Sequence, residues 1–154
     1  MGYIKEMRRL IGHATLFTVG CGVILERDGC ILLQHRMDED NWCIPGGMME
    51  IGETFEEAAI REIYEETNFA VHDLQLFGIY SGVDCFVEYP NQDKVYSVQI
   101  IFQSTNFTGD LKQQDIESKE HRFFKRDELP AALNPRQKRF IQDWAEGKAL
   151  PIIN

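Results

Sequence analysis

Residues 46–69 read GGMMEIGETFEEAAIREIYEETNF, and within them Glu62, Glu65 and Glu66 crowd one end of a helix-forming segment. That end is the negative pole of the helix macrodipole, where cations are favoured. Like charges four residues apart, as Glu62 and Glu66 are, repel by about 0.2–0.5 kcal/mol. A stretch that accepts both penalties requires a counter-charge.

The boundaries of the helix follow from local chemistry. Thr54-Phe55-Glu56-Glu57 has the T-x-x-E form of a capping box, which starts the helix at Phe55 and leaves Glu53 in the preceding loop. Thr67-Asn68 ends it, because Asn tolerates a left-handed backbone at the residue after the helix. At about 100° per residue, Ala59, Ile60, Ile63 and Tyr64 form an apolar stripe expected to face a sheet. Glu62, Glu65 and Glu66 share a separate arc roughly 100° wide, and small Ala58 leaves space one turn above them. A solvated acidic face is the bland alternative. Against it, no Lys or Arg stands four residues after any of the three glutamates. Oxygen-rich side chains converging within a turn suit a hard divalent cation, Mg²⁺ first and Mn²⁺ as a substitute.

Outward from this helix, the chain alternates extended runs with turns. Tyr3, Met7, Leu10 and Ile11 recur at helical spacing, so residues 3–11 are expected to form a short amphipathic helix. TLFTVGCGVILE and CILLQHR flank Asp28-Gly29, a hairpin signal. A short strand is expected at Trp42–Ile44 before Pro45-Gly46-Gly47 breaks regular structure. LQLFGIYSGVDCFVEY and VYSVQIIFQSTNF are expected to pair as antiparallel neighbours, and HRFFK to form a short strand. DELPAAL is read as a helical turn, and Asn134-Pro135 as the start of a terminal helix that buries Phe140, Ile141 and Trp144 and stops at Gly147. Strands broken by a central helix and closed by a terminal one predict an α+β fold with a mixed sheet between helices.

Composition narrows the function. The 154 residues suggest one domain by the prior of about 100–200 residues each, with residues 1–12 as a helical extension. The formal charge of -9 argues against a broad nucleic-acid surface, so DNA is not expected as a partner. No apolar run reaches the ~20 residues of a membrane helix, and no membrane partner is expected. Cys21, Cys30, Cys43 and Cys85 form no C-x-x-C pair and read as reduced thiols of a cytoplasmic protein. Lys5, Arg8 and Arg9 before LIGHATLFTVGC imitate a secretion signal, but the strand pattern accounts for that stretch.

Gly47, Glu53 and Arg61-Glu62-Ile63-Tyr64-Glu65-Glu66-Thr67-Asn68-Phe69 together resemble the Nudix box, G-x5-E-x7-R-E-U-x-E-E-x-G-U, where U is a bulky aliphatic residue. Asn68 replaces the usual Gly, and Phe69 is aromatic. The resemblance covers 23 of 154 residues, and the Pro-Gly-Gly lead-in and strand order extend it. It implies a mixed β-sheet sandwiched between helices and Mg²⁺-dependent hydrolysis of a small nucleoside diphosphate derivative. It further implies metal ligation by the Gly46 carbonyl with Glu62, Glu65 and Glu66, an Arg61–Glu53 pair holding the loop, and one carboxylate acting on the attacking water. A further loop glutamate is expected, Glu117 rather than Glu120. Glu50 stays ambiguous. Arg36 is a candidate for phosphate, and Trp42 and Tyr80 for the substrate, against surface-pairing and core roles respectively. Two other readings stay open: a pyrophosphohydrolase of RNA 5′ ends, and a non-catalytic nucleotide-binding domain. The amphipathic first helix and long extended runs are compatible with a homodimer.

Overall fold

The structure, a computed structural model, describes residues 2–154. Helix α1 spans Tyr3–Ile11, and strand β1 comes next at Leu16–Arg27. Asp28 and Gly29 both take positive φ, 53° and 75°, which is the geometry of a tight hairpin turn into β2, Cys30–Arg36. The short strands β3, Trp42–Cys43, and β4, Gly46–Met48, precede helix α2, Phe55–Thr67. Then come β5, Ala70–His72, β6, Gln75–Tyr80, β7, Phe86–Glu88, β8, Lys94–Ser104, and β9, Asn106–Thr108. Strand β10, Ser118–Lys125, helix α3, Lys138–Glu146, and β11, Ile152–Ile153, complete the chain.

The main sheet runs β10-β2-β1-β8-β6-β11, with β3, β4 and β7 as side branches. It is mixed. β1 pairs in parallel with β8 from Leu16 opposite Val95 to Leu25 opposite Ser104, and β6 pairs antiparallel with β8. At its middle β1 also pairs with β4, Gly22 opposite Gly46, whereas its end pairs with β2. β4 is thereby set beside β1 and under α2.

Alternation along the strands builds a core on each face. Val23, Leu25, Leu32, Ile100 and Phe102 pack with Ala58, Ala59 and Ile63 of α2. Ile24, Ile31, Leu33 and Ile101 pack with Phe140, Ile141 and Trp144 of α3. Each fully buried large apolar side chain contributes roughly 1.5–3 kcal/mol. The expected sheet between helices is the observed architecture.

Several local expectations fail. The buried face of α2 is Ala58, Ala59, Ile63 and Thr67, while Ile60 and Tyr64 are 42% and 58% exposed. The helix is rotated from the apolar stripe because the two small alanines let its backbone lie close on β1 and β4. That rotation turns Glu62 and Glu66 inward. DELPAAL is not helical: only Arg126–Asp127 turns, and Leu133 instead bridges to Trp42. The terminal helix starts later than expected: Pro135–Gln137 form a turn shaped by Asn134, whose side chain accepts from the Arg136 N–H at 3.0 Å, and α3 begins at Lys138 with Gln137 as its N-cap, while Gly147 ends it in the left-handed region as expected. LQLFGIYSGVDCFVEY is likewise not one run, since a 3-10 turn at Val83–Cys85 splits it. The four cysteines are free. Among the described residues no helix is long and apolar enough to cross a membrane.

Candidate active site

The capping box forms as its residues dictate: Thr54 Oγ1 accepts from the Glu57 N–H at 3.2 Å, and Glu57 Oε2 accepts from the Thr54 N–H at 2.8 Å. At the other end Asn68 adopts φ 67°, and its N–H donates to the Tyr64 carbonyl at 2.9 Å. Lys112 donates from Nζ to the Glu65 carbonyl at 2.6 Å, so a cation from a distant segment sits at the negative end of α2.

Arg61 organises the loop before the helix. Its Nε and Nη2 donate to Glu53 Oε1 and Oε2 at 2.5 and 3.0 Å, and Nη2 also reaches the Met48 carbonyl at 3.2 Å. Glu53 Oε2 accepts from the Glu50 N–H at 2.8 Å. These contacts, the Arg61 guanidinium above all, hold the Glu53 carboxyl down at about 2. Nη1 donates to Glu62 Oε1 at 2.7 Å and lies 3.5 Å from Glu65 Oε2. Part of the missing counter-charge is therefore Arg61 itself, which stands four residues before Glu65 rather than after it.

Glu66 has no such partner. Its Oε2 accepts from the Gly46 N–H at 2.7 Å and from Gln34 Nε2 at 3.4 Å, both neutral donors. Burial, then the charges of Glu62 and Glu117, push its carboxyl up to about 8. Burial also raises Glu62. A β-carbon on Gly47 would lie 2.5 Å from Glu62 Oε1, so the box begins with glycine because the Glu62 carboxylate occupies that space.

Glu50, Glu62, Glu65, Glu66 and Glu117 line an open cleft of about 1140 Å³, together with Arg61 and Lys112. Glu117 reaches it from the segment 109–117, anchored by donation from the Met37 N–H to its carbonyl at 3.0 Å. Asp115 Oδ1 accepts from the N–H groups of Glu117 and Ser118, both at 2.8 Å, and shapes that turn. Glu120 pairs with Arg122 instead. Glu50 is engaged elsewhere as well, its Oε2 accepting from the Tyr3 N–H of α1 at 3.0 Å. Gly46 meets the site through its N–H.

The donor set fits a hard divalent cation. It is all oxygen, and the half-buried Glu66 carboxylate faces further acids without a cationic partner. Among the described residues no three acidic, histidine or cysteine side chains converge tightly enough to hold an ion by themselves. Water and substrate oxygens would complete the shell, as Mg²⁺ usually requires.

The substrate candidates fare differently. Arg36 is already engaged by Asp38, at 2.9 and 2.7 Å, with Glu39 at 3.8 Å. It lines a smaller cavity of about 100 Å³ with Gly46, Gly47, Ser97, Gln99 and Arg136. Trp42 and Tyr80 line neither cavity, against expectation. Trp42 is 8% exposed, stacked on His35 at 4.7 Å and edge-on to Phe124 at 4.9 Å. Tyr80 is fully buried against Phe140, and its hydroxyl donates to Asp143 at 2.8 Å. Both aromatic rings belong to the α3-side core, where their area is best buried. The sequence does not mark Lys112 and Gln34 as site residues, because each meets α2 only through tertiary pairing. The local hint for Gln34 is that an amide follows the apolar run Ile31–Leu33 on a strand whose inward positions are otherwise apolar up to that point.

Residues 16–144 match the family described as NUDIX domain. An ADP-ribose pyrophosphatase of Methanocaldococcus jannaschii is 34% identical over 128 residues, 81% of this chain and 71% of that protein. A putative 8-oxo-dGTP diphosphatase of Bacillus subtilis is 31% identical over 133 residues, 86% of this chain and 83% of that protein. Among solved structures, a MutT NUDIX hydrolase from Burkholderia pseudomallei superposes with a TM-score of 0.71 at 27% identity, covering 82% of this chain and 97% of that one.

Proposed function

Since the chain belongs to the Nudix hydrolase family, and so hydrolyses phosphoric anhydride bonds, we propose that it is a Mg²⁺-dependent pyrophosphohydrolase of small nucleoside diphosphate derivatives. The substrate class takes in nucleotide sugars, ADP-ribose, dinucleoside polyphosphates and modified nucleoside triphosphates. The observation that carries the reading is Glu66: an inward-facing carboxylate with neutral donors only, opening with Glu62 and Glu117 on one cleft.

A bound divalent cation would neutralise diphosphate oxygens and acidify a water for in-line attack. The protein's part is placement. Gly46 and Gln34 fix Glu66, Arg61 braces Glu53 and the loop against α2, and Gly47 leaves room for Glu62. Glu117 supplies a carboxylate from the opposite wall, suited to orient or deprotonate the attacking water.

The test is a panel of ADP-ribose, nucleotide sugars, dinucleoside polyphosphates and oxidised nucleoside triphosphates, incubated with Mg²⁺ and assayed for products. Turnover of at least one is expected, and Glu66→Gln should lower kcat by about 10²–10⁴ with the fold intact, since a carboxylate that holds the cation is worth several kcal/mol. Tight binding without turnover of any would instead mark a nucleotide-binding domain.

A further inference from the structure

Strand β2 alternates between the two cores. Ile31 and Leu33 face α3, Leu32 faces α2, and the next position on the α2 side is Gln34, only 4% exposed. Burying an amide without partners costs roughly 1–3 kcal/mol. For packing alone a leucine would serve better, so the partners explain the residue.

Those partners lie on two different sides. Nε2 donates to Glu66 Oε2 at 3.4 Å and to Cys43 Sγ at 3.6 Å. Oε1 accepts from Ser118 Oγ at 3.4 Å and lies 3.2 Å from His121 Nε2. His121 Nδ1 lies in turn 3.3 Å from the Gln113 carbonyl oxygen. Ser118 and His121 belong to β10, with His121 directly opposite Gln34. Gln113 and Glu117 belong to the connecting segment that walls the cleft. The amide therefore joins the helix acid to the strand that begins one residue after the loop acid. Both hydrogen bonds to Glu66 fall on Oε2, and among the described residues Oε1 has no protein donor. That leaves Oε1 for an external cation.

We propose that Gln34 is a positioning residue that sets the distance between the helix carboxylate of Glu66 and the loop carboxylate of Glu117, by bridging Glu66 to the Ser118–His121 anchor of the loop. The proposal rests on the hydrolase reading. Gln34 touches neither substrate nor cation, and acts through the two groups it spans. A purely structural amide would change stability when removed. A positioning amide changes cation affinity and turnover in a protein that remains folded, and losses of about 10–100-fold are typical of such outer contacts.

Three proteins test it: the unaltered chain, Gln34→Met, which keeps length and loses every hydrogen bond, and Ser118→Ala, which removes one of the two β10 contacts to Gln34 Oε1 and leaves the His121 contact and the donor to Glu66. Mn²⁺ affinity is measured by calorimetry without substrate, kcat and KM by steady-state turnover, and folding by thermal unfolding without metal. Gln34→Met is expected to weaken Mn²⁺ binding about tenfold and lower kcat more than it changes KM. Ser118→Ala should move both in the same direction by less. If Gln34→Met does not fold, the Ser118→Ala shift alone decides. Unchanged Mn²⁺ affinity and kcat in the folded variants would overturn the proposal and leave the hydrolase reading standing. Absence of Mn²⁺ binding and turnover in the unaltered chain would overturn both.

Discussion

Glu66 joins the acid–base chemistry of the protein to its stability. Its carboxyl is pushed up to about 8 from an ordinary value of 4.5, with burial the largest cause. A group whose folded pKa is raised lends stability that is complete below the unfolded value and lost as pH climbs through the folded one. Metal-free protein is therefore expected to melt at progressively lower temperature between pH values of about 5 and 8.5. Divalent cation binding near neutrality must also displace a proton. Calorimetry of Mg²⁺ binding in buffers of different ionisation heat should register that proton, and Glu66→Gln should abolish its release. Heats that do not depend on the buffer would mean that Glu66 is already ionised. Local sequence marks Glu66, because its place beside Arg61, Glu62 and Glu65 is a property of one helix. Its two donors were not legible. Gly46 is a near neighbour in sequence but meets Glu66 only after β4 pairs with β1, and Gln34 meets it from another strand.

Helix α2 shows the same division between local and tertiary information. Its start and stop were readable because a capping box and a left-handed asparagine are decided within four or five residues. Its orientation was not, because hydrophobicity favoured Ile60 and Tyr64, whereas close approach to the sheet favoured Ala58 and Ala59. The inward turn of Glu62 and Glu66 follows from that preference for small residues. The cap itself is a stability device with a measurable size. Thr54→Ala should cost about 1 kcal/mol and lower the melting midpoint by a few degrees, equally with and without Mg²⁺. A loss seen only with Mg²⁺ would instead implicate the cap in holding Glu53 and the loop at the site.

Over the whole molecule, burial separates what folds the chain from what decorates it. The sheet and its two cores account for the interior, while α1 buries no residue and is held by polar contacts, chiefly Tyr3 to Glu50 and Arg8 to the Lys94 carbonyl. Removing residues 2–12 is expected to leave circular dichroism of the sheet and cooperative unfolding in place, with a midpoint lower by only a few degrees. Collapse of the truncated chain would show that α1 carries structural weight its exposure does not suggest. The α+β architecture was readable from strand and helix order. The partner of β1 was not, since parallel pairing between distant strands leaves no local mark. That pairing has a temporal consequence. Leu16 must wait for Val95 before the centre of the sheet can close, and α2 leaves the ribosome well before the strand that completes its platform. The acidic helix thus spends the interval as a solvated, self-repelling segment. During that interval its charge is expected to oppose association of the incomplete chain.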